Sequence, residues 1–265
     1  MQQSYLKVGS ADSGVRLIAF HHAAGSAASL LPVAKAMPDD CEAYLFELEG
    51  RFGDGPDEHE PASVSDFQAA ADRFRKDFIP LLDRPTLIVG HSLGALFAHN
   101  LLASLPAERL SHVLAFVASA CKGPAAVAAA SIMPPAPFTH RTRQMVMNDL
   151  RKFGGMPDEI FSDPELVEIA VTLLGRDLHL ADTYALPDAP PVNAPYLVWY
   201  GADDATLSEA DLTSWADASA LPAEYRRFPG GHFFLFQQRE PIAQLRKILR
   251  TTAVPSPTPQ IKPGR

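Results

Sequence analysis

Residues 86–97, Thr-Leu-Ile-Val-Gly-His-Ser-Leu-Gly-Ala-Leu-Phe, are the stretch that decides the fold. The β-branched and apolar run from Thr86 to Val89 predicts a buried strand. Ala95 to Leu102 predicts a helix, because Ala and Leu are prominent and no helix breaker interrupts them. Between them lies a G-x-S-x-G turn, Gly90 to Gly94, in which side chains two residues from the serine would clash. A strand, this turn and a helix are the context of a nucleophile elbow, which lifts the hydroxyl of Ser92 off the sheet edge.

Composition and charge exclude several classes of protein. The chain has 265 residues, of which 47% are hydrophobic, enough for a substantial core. Its net charge of −8 argues against nucleic acid and anionic membranes as partners. Cys41 and Cys121 fit neither a zinc pattern nor a disulfide framework. Residues 1–10 lack the features of a signal peptide, and no apolar run reaches membrane length. We therefore expect a globular, cytoplasmic protein; the oligomeric state stays open, with a monomer as the default.

Predicted strands and helices alternate along most of the chain, which predicts a mostly parallel central sheet with helices on both faces. Pro32 is expected in the first turn of the first helix, and Ser63 or Ser65 as the N-cap of the second. Strands are predicted from Val15 to Phe20, Ala43 to Leu48, Thr86 to Val89, Val113 to Ser119, Tyr196 to Tyr200 and Glu224 to Phe228. Helices are predicted from Ser29 to Met37, Val64 to about Pro80, Ala95 to Leu102, Glu209 to Ala218 and Pro241 to Thr251.

Residues 121–187 interrupt this alternation. The segment has no convincing strand, and helical patterns run from about Thr139 to Phe153, after Asp158 and from Pro164 to Leu174. The Ala-rich piece from Pro124 to Ala130 is interpreted as a plain helix or a linker. Inserted helices usually cover the carboxyl edge of such a sheet, where ligands bind, so we interpret the segment as a helical lid; the alternative is a packing appendage. The predicted domains are a core in two parts, residues 1–120 and 188–252, the lid at 121–187, and a disordered tail at 253–265.

A serine hydroxyl needs a base and an orienting carboxylate before it attacks near neutral pH. Where a nucleophile elbow is present, the chain order is Ser, then Asp or Glu, then His. Asp203 and Asp204 both follow a late strand. We favour Asp204 because it lies three residues after Gly201, the offset that sites with a nucleophile elbow commonly show. The alternative is that both aspartates only cap the next helix. His232 follows the last predicted strand in a glycine-containing loop. The sequence therefore predicts a catalytic triad of Ser92, Asp204 and His232.

The remaining histidines are interpreted as structural. His91 is expected to point into the core, and His99 and His112 to be packed or to lie at the surface. The adjacent pair His21 and His22 has no third ligand at a sensible spacing, so we predict no metal site there.

The loop of small residues after Phe20 fits the second half of an oxyanion hole, which in this kind of site comes from an early strand-to-helix loop. The predicted donors are the backbone N–H groups of Ala23 and Leu93, each typically worth about 3 kcal/mol of barrier.

Five segments, in order, resemble the motifs of the type II thioesterases, which belong to the α/β-hydrolase superfamily and accompany polyketide and non-ribosomal peptide synthetases. They are residues 20–26 (FHHAAGS), 49–51 (EGR), 90–94 (GHSLG), 150–157 (LRKFGGMP) and 230–234 (GGHFF). The resemblance implies an α/β-hydrolase fold and hydrolysis of acyl groups from the phosphopantetheine arm of carrier proteins. It maps the nucleophile, acid and base onto Ser92, Asp204 and His232. The chain departs from the family at Ala24, where glycine is usual, and at Glu49, where proline is usual.

The resemblance also implies an acyl or peptidyl carrier protein, or a synthetase module, as the partner, and no cofactor, because the substrate itself carries phosphopantetheine. Carrier proteins are generally acidic, so the basic residues around the second lid helix are docking candidates; an ordinary solvated helix face remains the alternative. These are Arg141, Arg143, Arg151 and Lys152. Apolar side chains of the lid are candidates for lining the acyl pocket, or else form the lid's own core. These are Phe138, Met145, Met147, Met156 and Phe161.

Two other functions remain open at this point. One is an esterase or acyltransferase that acts on a free small-molecule ester. The other is a non-catalytic protein of hydrolase fold that binds a carrier, against which the complete Ser-Asp-His set argues.

Overall fold

The computed structural model describes residues 3–10, 13–51, 65–133, 141–154 and 161–252. The strands in these ranges are β1 (Tyr5–Val8), β2 (Val15–Phe20), β3 (Cys41–Phe46), β4 (Thr86–His91), β5 (Val113–Ser119), β6 (Tyr196–Gly201) and β7 (Glu224–Phe228). They form one seven-stranded sheet in the order β1-β3-β2-β4-β5-β6-β7. All neighbouring strands are parallel except β1, which pairs antiparallel with β3. The sheet is therefore mostly parallel, as predicted.

The described helices follow the predicted order. They are α1 (Ala27–Lys35), α2 (Phe67–Phe78), α3 (Leu93–Ala103), α4 (Pro124–Ala130), α5 (Arg143–Phe153), α6 (Pro164–Asp182), α7 (Glu209–Thr213), α8 (Phe234–Gln237) and α9 (Arg239–Thr252). Among the described helices, none combines the length and the apolar character that crossing a bilayer requires.

Two apolar layers cover the sheet. Successive residues of β2 point to opposite faces, so Ile18 packs in the layer that contains α2 and α3, whereas Leu17 packs in the layer that contains α1 and α9. Every residue of β2, β3 and β4 is buried, which explains why these strands are mostly apolar rather than alternating. The two charged exceptions, Arg16 of β2 and Glu42 of β3, pair with each other at 2.8 Å.

Helices α5 and α6, called the inserted helices below, contain a third apolar core of their own. Val146 and Leu150 of α5 meet Val171 and Leu174 of α6 in this core. Ala23 and Ala24, from the loop after β2, pack against its edge. The inserted helices therefore touch the loop in which the oxyanion donor was predicted. Whether residues 121–187 constitute a separate domain stays a prediction.

The register of the sheet aligns the carboxyl ends of its central strands. Phe20 pairs with Gly90, and His91 pairs with Ser119. The loop after β2, the turn after β4 and the segment after β5 consequently leave the sheet at one edge, the usual location of a ligand site in a parallel sheet.

Several predicted boundaries match the structure residue for residue, namely those of β2, β5 and β7. Of the two interpretations of the piece from Pro124 to Ala130, helix or linker, the structure shows the helix, α4. Strand β4 continues to His91, and α6 continues eight residues beyond Leu174 to Asp182. Strand β1 and the short helix α8 were not predicted. The predictions for Ser63, Val64, Phe138, Met156, Asp158 and the tail at 253–265 fall outside the described residues.

Two predictions about helix starts were wrong. Helix α1 begins at Ala27 with Ser26 as its N-cap, so Pro32 is its sixth residue and lies in the second turn rather than the first. The N-cap of α2 is Asp66, whose carboxylate accepts the N–H of Ala69, and not Ser65. A distant contact favours Asp66. The hydroxyl of Thr183, the residue that caps the C-terminus of α6, accepts the N–H of Phe67, the first residue of α2, and so fixes where α2 begins.

Candidate active site

Ser92 occupies a strained turn between β4 and α3. Its φ of 54° and ψ of −122° lie in a region that a non-glycine residue adopts at a cost of about 1–3 kcal/mol. A Cβ on Gly90 would overlap the backbone of Ala95, and a Cβ on Gly94 would overlap the carbonyl of Phe20. Both glycines are therefore sterically required, as the elbow motif predicts. The backbone N–H of Ser92 donates to Ser119 O at 2.7 Å and ties the turn to β5.

His232 and Asp204 meet in the loops that follow β7 and β6. The two atoms His232 Nδ1 and Asp204 Oδ2 are 2.8 Å apart, and both side chains are buried. Because a carboxylate can only accept, Nδ1 carries a proton, which leaves Nε2 as the ring nitrogen that can act as a base. Asp203 is exposed, so of the two candidates only Asp204 contacts the histidine.

Thr206 completes the surroundings of Asp204, although the sequence analysis gave it no role. Its backbone N–H and its hydroxyl donate to Asp204 Oδ1 at 2.9 and 2.6 Å. Burial opposes ionisation of Asp204, but the hydrogen bonds from His232 and Thr206 outweigh it and hold the pKa of the carboxyl below its usual 3.8. The carboxylate is therefore anionic throughout the neutral range. An Asp-x-Thr spacing was the only sequence signal for this contact.

Ser92 and His232 line the same cavity, which has a volume of about 680 Å³. No hydrogen bond between their side chains occurs among the described residues. In unliganded sites such bonds are often long and tighten only when substrate binds. Asp204 lies behind His232 and does not line the cavity. The structure thus brings the three predicted residues to one site, and their catalytic roles stay predictions.

The cavity is mostly apolar and lies between the sheet edge and the inserted helices. Leu96 and Phe233 line it from the core, and Leu150, Leu174 and Leu178 line it from α5 and α6. Such a lining suits an apolar chain, with a few polar groups to orient it.

Ala23 and Leu93, the predicted oxyanion donors, both line this cavity next to Ser92. Leu93 is the first residue of α3, so its N–H has no acceptor within the helix. Ala24, which follows Ala23, has a φ of 61°. Its N–H is engaged by the carboxylate of Asp177 on α6 at 2.7 Å.

The two histidines near Ser92, His22 and His91, lie in an aromatic setting, with His91 buried and His22 half-buried at the cavity wall. Burial, reinforced by the nearby His232 and Arg51, lowers the pKa of His22 to about 4. Burial likewise holds the pKa of His91 well below its usual 6.5, with His232 and His22 adding to the effect. Both rings are therefore neutral at physiological pH. His91 contacts Ser119 Oγ at 2.9 Å, in agreement with its predicted structural role.

Both ring nitrogens of His21 contact backbone groups. Its Nδ1 lies 2.6 Å from His22 O, and its Nε2 accepts the N–H of Leu48 at 3.2 Å. His99 is buried beside Tyr196, with Nδ1 2.9 Å from the phenol oxygen, and His112 is exposed.

The residues predicted to bind substrate or carrier are dispersed. Met145 is 41% exposed and does not line the cavity, because it lies on the outer face of α5 while Met147, two residues on, points into the core of the inserted helices. Arg141 is held by Asp182 at 2.7 Å, a pairing that does not support a docking role. Arg143 is exposed and pairs with Glu168 at 2.6 Å. Phe138 lies outside the described residues.

The sequence matches known proteins along most of its length. A family model described as "Thioesterase domain" matches residues 15–250. Over 228 residues, 86% of this chain, it is 27% identical to a protein of Streptomyces griseus described as a probable cadicidin biosynthesis thioesterase, and spans 60% of that protein. It is 28% identical over 260 residues, 95% of this chain, to the AMB antimetabolite synthetase AmbE of Pseudomonas aeruginosa, of which it spans 11%. It is 24% identical over 245 residues to the gramicidin S biosynthesis protein GrsT of Aneurinibacillus migulanus, with 91% of each chain covered.

Solved structures of thioesterases superpose on most of this chain. ClbQ from the colibactin pathway superposes with a TM-score of 0.73 at 20% identity, covering 90% of this chain and 98% of that one. The type II thioesterase BorB from the borrelidin cluster superposes with a TM-score of 0.72 at 24% identity, covering 91% and 95%. These likenesses, together with the sheet order, establish the predicted α/β-hydrolase fold.

Proposed function

The chain belongs to the thioesterase domain family, and on that premise we propose that it is a serine thioesterase that removes acyl groups from the phosphopantetheine arm of carrier proteins. The proposed role is that of an editing or housekeeping type II thioesterase beside a polyketide or non-ribosomal peptide synthetase. The observation that carries the proposal is one cavity lined by Ser92 on a strained elbow and by His232, whose Nδ1 is held by Asp204.

In the first half of the reaction, Ser92 Oγ attacks the thioester carbonyl while His232 Nε2 takes its proton. The carbonyl oxygen becomes an oxyanion, which the backbone N–H groups of Ala23 and Leu93 stabilise. When the intermediate collapses, the C–S bond breaks, and the thiolate of the arm leaves with the proton from His232. Asp204 stabilises the transient imidazolium and stays ionised itself. The product is an acyl ester on Ser92.

In the second half, water enters the vacated thiol position and attacks the acyl ester. His232 removes the proton from this water and then returns it to Ser92 Oγ as the ester bond breaks. The acyl group leaves as a carboxylic acid, and the enzyme is regenerated. We propose that no cofactor takes part, because a thiolate is a good leaving group and needs only modest activation.

The relatives support a carrier-bound substrate. Their names place them in the biosynthesis of cadicidin, gramicidin S, colibactin and borrelidin. In such synthesis, acyl groups are carried as thioesters on a flexible arm, and a cavity of about 680 Å³ has room for an acyl chain and the end of that arm. We also propose a cytoplasmic location, in line with two buried cysteines that are both unpaired.

Intact-protein mass spectrometry of a panel of acyl-loaded carrier proteins tests the proposal. We expect the wild type to return the carriers to the unacylated form and Ser92→Ala to leave them loaded. A fluorophosphonate should label the wild type and not Ser92→Ala, which separates an enzyme from a non-catalytic carrier-binding protein. If free esters are turned over orders of magnitude faster than acyl-carriers, the carrier assignment fails and the esterase alternative replaces it.

A further inference from the structure

A buried ion pair lies beside the site and is not part of the Ser92, His232 and Asp204 set. Nη2 of Arg51, which follows β3 by five residues, lies 2.7 and 2.5 Å from the two carboxylate oxygens of Asp177 on α6. The two side chains are only 2% and 3% exposed. Asp177 also accepts the N–H of Ala24 at 2.7 Å. One carboxylate therefore joins an inserted helix, the loop after β3 and the loop that carries the predicted oxyanion donor.

The hydrogen bonds to this loop fix the peptide group between Ala23 and Ala24 at both ends. His22 Nδ1 lies 2.9 Å from Ala23 O, and Ala24 N–H donates to Asp177. Ala24 has a φ of 61°, which an alanine keeps only where its surroundings determine it. A carboxylate that accepts its N–H is such a determinant.

The Ala23 N–H itself belongs to the preceding peptide group, whose carbonyl, His22 O, contacts His21 Nδ1 at 2.6 Å and accepts the Gly25 N–H at 2.9 Å. The peptide groups on both sides of Ala23 are therefore held, and together they set the direction of its N–H.

Stability alone gives a poor account of this pair. Buried ion pairs are often no more stabilising than apolar residues of similar volume, because both charges lose their hydration. Arg51 Nε is buried and has no hydrogen-bond partner among the described residues, so the pair is also incompletely satisfied. Its location against the oxyanion loop, with Asp177 lining the cavity, indicates a functional reason for it.

We propose that Asp177, held by Arg51, is a positioning residue that orients the Ala23 N–H toward the oxyanion and makes this orientation depend on the position of α6. The proposal rests on the proposed function, since it requires an oxyanion at this loop. Leu174 and Leu178, within one turn of Asp177, line the same cavity. An acyl group that packs against them therefore contacts the helix that holds the oxyanion donor, so acyl recognition and transition-state stabilisation are coupled through one helix.

The test compares Asp177→Asn with a matched control, Glu42→Gln. Glu42 forms a similarly buried pair with Arg16, with side chains 1% and 4% exposed, at the amino ends of β3 and β2 and thus at the opposite edge of the sheet. Removal of one oxyanion donor typically lowers kcat by 10²–10³. Arg51 Nη2 contacts both oxygens of Asp177, so an amide NH₂ in either orientation would face a guanidinium that can only donate, and the side chain would be displaced from the Ala24 N–H. For a misdirected donor we therefore expect Asp177→Asn to lower kcat on a small acyl thioester by about 10- to 100-fold, with KM within threefold. Glu42→Gln should lower Tm and leave kcat within twofold.

Two further readouts separate positioning from a general loss of structure. An alkylboronic acid, which forms a tetrahedral adduct with the serine, should bind Asp177→Asn more weakly by about the same factor as kcat falls. Adding Ala24→Gly to Asp177→Asn should recover at least about fivefold in kcat, because glycine adopts positive φ without strain. If Asp177→Asn does not fold, Arg51→Lys, which retains a cation, replaces it in the comparison with Glu42→Gln.

An unchanged kcat in Asp177→Asn overturns the inference, as does a lower kcat with unchanged boronate affinity and no recovery by Ala24→Gly. These failures are distinct from failure of the proposed function, which would show as no fluorophosphonate labelling and no acyl-carrier hydrolysis by the wild type.

Discussion

Asp204→Asn provides the sharpest test of the site, because the surroundings of Asp204 dictate how an amide would sit there. Oδ1 accepts both the backbone N–H and the hydroxyl of Thr206, so the amide oxygen of the variant would keep this position. The amide NH₂ would then face His232 Nδ1, which lies 2.8 Å from Oδ2 in the wild type. A donor at that position requires Nδ1 to accept, so the proton of the neutral ring moves to Nε2. His232 then has no lone pair to offer Ser92.

This change of tautomer sets the expected magnitude. The corresponding Asp-to-Asn change in other serine triads lowers kcat by about 10⁴ while the geometry is retained. At 1.36 kcal/mol per factor of ten, this corresponds to about 5.5 kcal/mol of lost transition-state stabilisation. KM for a small thioester should change little, because Asp204 does not line the cavity.

Asp203→Asn is the matched control, since it makes the same chemical change one residue away on an exposed side chain. We expect its kcat to stay within twofold of wild type. The assay is steady-state release of thiol from a small acyl thioester, with circular dichroism and Tm to confirm that both variants are folded. A loss of less than tenfold in Asp204→Asn, or an equal loss in Asp203→Asn, would refute the assignment of the triad acid.

Thr206→Val should lower kcat about tenfold at constant KM, because Asp204 loses a hydrogen bond that orients it toward His232; a change below twofold would contradict this. The pKa of His99 is lowered by burial to about 4, so acidification favours the unfolded state, where the ring binds a proton near pH 6.5. Urea unfolding should therefore show that wild type loses about 2 kcal/mol more than His99→Gln between pH 7 and pH 5, and equal losses would rule the effect out. Charge reversal at Arg143 and Arg151 should raise KM for acyl-carriers at least fivefold and not for small thioesters. An equal rise for both substrates would remove the docking role.

Local sequence patterns were sufficient for most of the fold. The elbow could be predicted because strand, turn and helix are contiguous and the two glycines have a steric cause that is visible in the motif. Strand β2 and strand β5 could be bounded residue for residue because each is a mostly apolar run of six or seven residues. These are features that a chain displays within about ten residues.

Elements determined by distant contacts were missed or misplaced. Strand β1 exists because its four residues pair antiparallel with β3 and Tyr5 packs on Tyr44 at 4.9 Å, contacts that no local pattern reveals. Ser65 and Asp66 are equally good N-caps in sequence, and the choice between them depends on Thr183, more than a hundred residues away. The same limit applies to Asp177, which acquires its place only through Arg51 and Ala24, 126 and 153 residues earlier.

The site also differs from the rest of the fold in where backbone strain is located. Three of the four described non-glycine residues with positive φ are Ala24, Ser92 and Ala120, at 61°, 54° and 50°. Each lies after one of three neighbouring strands, β2, β4 and β5, and each lines the cavity. At about 1–3 kcal/mol per residue, this strain is comparable to the whole stability of a typical domain. It persists because the backbone N–H of each strained residue donates a hydrogen bond to a rigid element. The acceptors are the Asp177 carboxylate for Ala24, Ser119 O for Ser92 and Trp199 O for Ala120. Relief of the strain at position 24 by glycine should therefore stabilise the fold while making the loop less dependent on Asp177, which is why the Ala24→Gly rescue separates positioning from stability.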